Sequence, residues 1–338
     1  MYANHVLCAT LLVAIALSLS FTDGKSHEGL QRHHVRLKFL RYEPCAWEKK
    51  WIANVGTWGP YSGNQFCDLI NEPSEKTNTA DVLAGIKQMM QDGNSTSLPE
   101  TPRNREIFSR FIYEETNAKG QVSIVERLIE PLAQLIRYYG VCIHQSSDLL
   151  RRDYLVFDAD PLGEKLQKFY LDLGASTWDS GAGGLSSKWF FEEYQRRGLK
   201  IDRALLWEVG ITEPNKLFGQ VPQKYFHAYQ YFNIPAEPTP GNLKNPFEIL
   251  KTIVHKHDFV ALKIDIDTPS IENQLTAQLV KEIDVLAPLI DEFFYEQHVR
   301  SPTMMQLGWG DGVSGTLEDT YKLHVLLRSK GIRSHGWP

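Results

Sequence analysis

An apolar run that ends in an acid and a glycine, then spills into more glycines, constrains this chain more than any other feature. Lys168-Phe169-Tyr170-Leu171-Asp172-Leu173-Gly174-Ala175-Ser176 reads as a strand, and Gly181-Ala182-Gly183-Gly184 follows it. Glycine lets a backbone pass close to a ligand and take turns that a Cβ would block. The next segment, Ser186-Ser187-Lys188-Trp189-Phe190-Phe191-Glu192-Glu193-Tyr194, reads as a helix whose first N–H groups aim at the same place. Strand, glycines and helix together open a nucleotide-sized pocket in many α/β sheets. They also serve as plain βα connections, so the rest of the chain has to decide.

From about residue 155 the pattern supports the pocket. Strand-like runs at 168–173, 203–208, 227–233, 259–265 and 292–298 alternate with helical ones at 188–197, 214–218, 246–256, 271–285 and 317–329. This predicts an α/β fold with a Rossmann-like, doubly wound, mostly parallel sheet. Right-handed crossovers then bring the loops after every strand to one edge. The polar residues at that edge are Asp172 and Gly174, Glu208, Asp265 and Asp267, and Glu296 and His298. An acid ending the second strand suits the two hydroxyls of a ribose. No G-x-G-x-x-G follows the first strand, so no pyrophosphate cradle is expected.

The N-terminal half reads differently. Residues 6–21, VLCATLLVAIALSLSF, are too short for a comfortable membrane span and match a signal-peptide core, with small residues allowing cleavage after Ser20 or near Gly24. Residues 1–24 are therefore expected to be a signal peptide or signal anchor, a possible membrane attachment, sending the chain into the secretory pathway (ER or Golgi lumen, or outside). Asn94-Ser95-Thr96 is a glycosylation acceptor consistent with that route. Removal of the leader leaves Cys45, Cys67 and Cys142, an odd number, with Cys45–Cys67 the expected pair. Residues 25–60, with His27, Arg32, His33, His34, Arg36, Lys38 and Arg41, read as a solvated basic stem, and no zinc spacing occurs. Residues 61–105 read as loop-rich with one helix near 80–91. Residues 105–139 read as helical, because Ile124, Leu128, Leu132, Leu135 and Ile136 recur at helical spacing around Pro131. The expected organisation is a basic stem and helical region over 25–154 and an α/β domain over 155–338. With a net charge of −5 and no basic run beyond the N-terminal stretch, a nucleic-acid partner is not expected.

The segment Asp258-Phe259-Val260-Ala261-Leu262-Lys263-Ile264-Asp265-Ile266-Asp267-Thr268-Pro269-Ser270-Ile271-Glu272 resembles the FkbM-type S-adenosylmethionine-dependent methyltransferases. These carry an apolar strand, Lys-x-Asp, a further acid two residues on and a Glu soon after. Leu171-Asp172-Leu173-Gly174-Ala175 resembles their first motif, and Glu208 matches their ribose-binding acid. The resemblance covers about residues 155–338. It departs from the family in three places. The second glycine after Gly174 is delayed to Gly181, Asp267-Thr268-Pro269 replaces the usual Glu-Gly, and Gly210 and Ile211 separate Glu208 from Glu213-Pro214.

The resemblance implies a class I methyltransferase-type sheet. It implies S-adenosyl-L-methionine as cofactor, held by Asp172, Gly174, Ala175, Gly181, Glu208, Lys263 and Asp267. It implies a carbohydrate or small-molecule oxygen as acceptor. Methyl transfer needs alignment and exclusion of water, and a hydroxyl nucleophile gains about 10²–10⁴-fold from a base. His298 is the first candidate for that base, with Glu296 and Asp265 as alternatives. A luminal enzyme would need its methyl donor imported. A second reading takes Asp265-x-Asp267 as the metal-binding pair of a Golgi-type glycosyltransferase, completed by Glu296 and His298. A third is a non-catalytic α/β binding domain.

Overall fold

A computed structural model of the 338-residue chain describes residues 36–57, 63–92, 98–133, 152–156, 165–179, 187–210, 212–300 and 313–337. The expected leader, the Asn94 acceptor, Cys142 and the glycines at 181–184 lie outside them.

Strand β1 (Arg36–Glu43) leads into helix α1 (Ala46–Val55), followed by α2 (Gly63–Ile70), α3 (Pro73–Asp92) and α4 (Pro102–Ile107). Residues 36–55 are therefore folded rather than stem, and 63–107 is mostly helix rather than loop. The cause is apolar anchoring. Trp47 and Trp51 are buried, and their indole N–H groups both donate to the Glu75 carboxylate of α3, at 2.6 and 2.7 Å. Thr101 caps α4 by accepting from the Asn104 amide, with Pro102 in the first turn where a missing N–H costs nothing.

Strands β2 (Ser109–Thr116) and β3 (Val122–Ile129) form an antiparallel hairpin, with β1 on the far side of β2. The helix expected over 105–139 is thus replaced by strands across 109–129. Its spacing was coincidental: residues four apart share a face of a strand as they do of a helix, and here Ile124 is 59% exposed while Leu128 is buried. The turn is what decides. Gly120 takes φ +76°, and the Asn117 side-chain oxygen accepts from the amides of Lys119 and Gln121.

Cys45 is a free, buried thiol whose sulfur accepts from the Glu48 amide at the start of α1, and burial pushes it up to about 11. Cys67 is disulfide-bonded, and not to Cys45, so the expected pairing is overturned.

After a 3-10 turn at Arg152–Val156 comes the main sheet. Its elements in chain order are β4 (Lys168–Leu173), α5 (Ser187–Arg196), β5 (Arg203–Trp207), α6 (Pro214–Phe218), β6 (Tyr229–Phe232), α7 (Pro246–Ile253) and β7 (Phe259–Ile264). Then follow α8 (Pro269–Lys281), α9 (Ile283–Leu286), β8 (Glu292–Tyr295), α10 (Leu317–Ser329) and β9 (Arg333–Gly336). The strand order is β6-β5-β4-β7-β8-β9, and all five pairings are parallel. This is the doubly wound Rossmann-like arrangement expected of an alternating strand–helix pattern. The sixth strand, β9, was not anticipated, since Arg-Ser-His-Gly carries no apolar alternation.

Alternate residues of the strands face two cores. Leu171, Leu173, Leu262, Ile264 and Phe293 pack with α7 and α8 on one side. Tyr170, Ala261 and Phe294 face the other, where α5 and the N-terminal helices supply Phe190, Trp51 and Phe66 in one continuous cluster. Truncating a fully buried aromatic such as Phe190 in such a core costs about 3–5 kcal/mol.

Arg328 of α10 fastens the N-terminal strands to the sheet edge. Fully buried, it donates to the Ser334 carbonyl at 2.9 Å, to the Tyr42 hydroxyl at 2.9 Å, and to the backbone and side chain of Glu130, both at 2.8 Å.

Candidate functional site

The strand order reverses direction between β4 and β7, and in such sheets ligands bind beyond the carboxyl ends of the strands at that reversal. Gly174, just past β4, has φ +92°, and a Cβ there would stand 1.7 Å from the backbone oxygen of Asp265, just past β7. The amides of Gly174 and Ala175 both donate to the Trp207 carbonyl at 3.0 Å, turning the chain over the end of β5. Ser176, also left-handed at φ +51°, donates its amide to Glu208 Oε2 at 2.9 Å, and its carbonyl accepts from the Tyr231 hydroxyl at 2.8 Å. Glu208 Oε1 accepts from the Gly210 amide at 2.7 Å. The half-buried Glu208 carboxylate is thus oriented by two amides, and each oxygen keeps a lone pair for a further donor.

A row of charged side chains runs from beneath the rim towards β8. Asp172 and Lys263 are register partners on β4 and β7. The Asp172 carboxyl accepts from the Tyr170 hydroxyl at 2.6 Å and from Lys263 Nζ at 3.0 Å. Lys263 Nζ also pairs with Asp265 Oδ2 at 2.9 Å, and that oxygen accepts from the Trp337 indole at 3.2 Å. Burial pushes Asp172 upward against the pull of Lys263. Lys263 itself stays charged, because the two carboxylates outweigh its desolvation.

Asp265 and Glu296 form a hydrogen-bonded carboxyl pair with divided roles. Burial raises Asp265, but Lys263 and the hydrogen bonds overcome it and hold it down to about 2. Burial and the neighbouring Asp265 charge push Glu296 well above the usual carboxylate range, so it keeps the proton. The Arg152 guanidinium, 5.1 Å from the Trp337 ring centre, feels both acids, while burial brings it down to about 10.

His298 follows Glu296 by two residues. Between them Gln297 turns the opposite way and accepts from the Thr320 hydroxyl at 2.8 Å. His298 Nδ1 meets Glu272 Oε2 at 3.0 Å, and its Nε2 lies 3.4 Å from Asp267 Oδ1. Burial opposes its charge, but the hydrogen bonds to Asp267 and Glu272 win and raise it to about 10. At neutral pH it is therefore an imidazolium in this arrangement, not the free base the sequence reading required of it.

Asp267, Glu296 and His298 each present one ligand atom, and the three atoms lie within 4.8 Å of one another, so this trio could hold a metal ion. Asp265 is turned towards Lys263 and Trp337, so the two acids of the Asp265-x-Asp267 motif point to different partners.

The structure brings Gly174, Ala175, Glu208, Asp265, Asp267, Glu296 and His298 to one edge, with Lys263 buried just below it. Asp172 sits beneath it with no exposed surface, where it holds Lys263 rather than reaching a ligand. Gly181 lies outside the described residues. Sequence reasoning missed Arg152, Trp337 and the clamp of Glu272 on His298. Glu272 had a signal as the motif's trailing acid. Trp337 follows a strand too polar to be noticed, and nothing local marks Arg152. No protein-family model, curated protein or solved structure matches this chain.

Proposed function

We propose that this protein is an S-adenosylmethionine-dependent methyltransferase of the class I type, acting on an oxygen of a carbohydrate or small metabolite. The observation that carries the reading is the turn in which Ser176, beyond a left-handed Gly174, docks on Glu208 at the reversal point of the sheet. A partly exposed carboxylate with spare lone pairs suits a ribose diol, and the exposed Val209 beside it suits an adenine face. Glu208 and the Gly174–Ser176 turn would hold the donor, which would supply an electrophilic methyl carbon to the acceptor oxygen, its bond to sulfur breaking with the electron pair left on sulfur.

The chain's own part is alignment and proton handling. Of the three base candidates, Asp265 is the one held as a carboxylate by a lysine, 2.9 Å away, so the hydroxyl proton goes to it. Lys263 fixes Asp265, Asp172 fixes Lys263, and the Trp337 indole completes the support. The apolar run at residues 6–21 supports a secretory route for this activity, with the acceptor then met in the lumen or outside.

Isothermal titration of the full chain with S-adenosylhomocysteine in chelator tests the reading. One site per chain is expected, weakened about 10-fold or more by Glu208→Ala, the equivalent of about 1.4 kcal/mol for lost charge-assisted bonds. Absence of binding sinks it. The Asp267, Glu296 and His298 trio favours one other reading, a metal-dependent glycosyltransferase. Uptake of a UDP-sugar only with Mn²⁺, and silence towards S-adenosylhomocysteine, would select that instead.

A further inference from the structure

We propose that Asp267, Glu296 and His298 bind a divalent cation, best matched by Mn²⁺, on which an acceptor chelates through two adjacent hydroxyl oxygens. The acceptor half rests on the methyltransferase reading; the cation half does not.

The ligands come from neighbouring strand ends. Glu296 and His298 follow β8, Asp267 follows β7, and the two strands are paired. His298 Nε2 and Asp267 Oδ1 are 3.4 Å apart. Two atoms each about 2.1 Å from a shared ion stand roughly 3.0 Å apart as neighbours and roughly 4.2 Å apart across it. The trio, with all ligand atoms within 4.8 Å of one another, is close to that spacing, and the Asp267 side chain, 67% exposed, is free to adjust.

A second observation comes from outside the trio. The buried Glu272 pairs with His298 Nδ1 at 3.0 Å and is itself fixed by the Ile266 amide at 2.9 Å. A carboxylate on the far nitrogen is what sets ring orientation and basicity in metal-bound histidines. It directs Nε2 at Asp267. The charge balance points the same way. Four carboxylates, Asp265, Asp267, Glu272 and Glu296, gather with three basic side chains, Lys263, His298 and Arg152.

Two carboxylates and one imidazole fall between the all-oxygen sites of Mg²⁺ or Ca²⁺ and the sulfur- or histidine-rich sites of Zn²⁺, which favours Mn²⁺. Three protein ligands leave about three of six positions open on the exposed side. Two adjacent oxygens of a diol would fill two of those positions. Asp265 is not a ligand, since Lys263 and Trp337 hold it.

The full chain, freed of metal, is titrated with Mn²⁺ by calorimetry and by loss of the free-ion electron paramagnetic resonance signal. One ion per chain is expected, with affinity falling at least 10-fold in Asp267→Asn and about 10–100-fold in Glu272→Gln. Asp267 is exposed, so its variant should keep the wild-type melting curve, and it covers the case in which His298→Gln fails to fold. No stoichiometric uptake, or uptake indifferent to Asp267→Asn, overturns the site. For the acceptor, 1,2-dihydroxybenzene should perturb the bound-Mn²⁺ spectrum and 1,3-dihydroxybenzene should not; equal responses overturn the chelation. Titration with S-adenosylhomocysteine in chelator reports on the methyltransferase reading alone. Its silence beside stoichiometric Mn²⁺ uptake removes methyl transfer and the acceptor role and leaves the cation site standing.

Discussion

The α-carbon of Gly174 is pressed against the backbone of Asp265, so closely that a single added methyl would sit 1.7 Å from a carbonyl oxygen. Gly174→Ala is expected to destabilise the protein by about 3 kcal/mol or more, combining a left-handed φ with overpacking against main chain that cannot move aside. Urea denaturation measures it. A variant within about 0.5 kcal/mol of wild type would mean the two turns are not in contact.

Lys263 is the only cation described between Asp172 and Asp265, and it is buried with them. Lys263→Met leaves two carboxylates facing each other and is expected to cost about 3–5 kcal/mol. Adding Asp172→Asn should recover part of that loss. Recovery by the second change, measured in the same denaturation series, separates lost pairing from lost packing.

His324 is buried, with Nδ1 against the Ser334 hydroxyl at 2.6 Å, and burial, aided by Arg328 and His335, holds it well below its usual value. The unfolded chain takes up a proton there near pH 6.5 and the folded chain does not. The stabilising effect is thus complete above pH 6.5 and is lost as pH falls below it, at about 1.4 kcal/mol per pH unit for one group. Other groups titrate in the same range, so the informative quantity is a difference in slope. Between pH 6.5 and 5, His324→Gln should lose stability less steeply than wild type by about that amount. Parallel curves would refute it.

Arg328→Met is expected to destabilise by about 3–5 kcal/mol, because Glu130, held as a carboxylate against its burial chiefly by Arg328, would lose its charged buried partner. Loss of protection at β1 and β9 amides in hydrogen exchange should accompany it. An unchanged exchange pattern would show that the N-terminal strands stay seated without this residue.

The parallel sheet was legible because buried strands and amphipathic helices alternate from Lys168 to Ser329 with few exceptions. The helix at 317–329 matches the structure end to end, and the strand at 168–173 does so as well. The N-terminal strands were not legible. Phe111 and Ile112 of β2 are both buried, so no in–out alternation marks it, and β3 mimics helical spacing. Only the Asn117–Gly120 turn carried a usable signal. Within the site, the acids at strand ends were visible because a charge that closes an apolar run needs a reason. Their states were not. Whether His298 is a base or an imidazolium depends on Glu272 and Asp267, which only the folded chain brings to it.

The shared core described above has a practical bearing on where the chain can be cut. Tyr170, Phe190 and Phe294 share one apolar cluster with Trp51 and Phe66, so the N-terminal helices and the sheet have a common core. An expression fragment starting near residue 155 would carry one flank of its sheet bare and should be recovered as inclusion bodies, whereas one beginning before Arg36 keeps its cover.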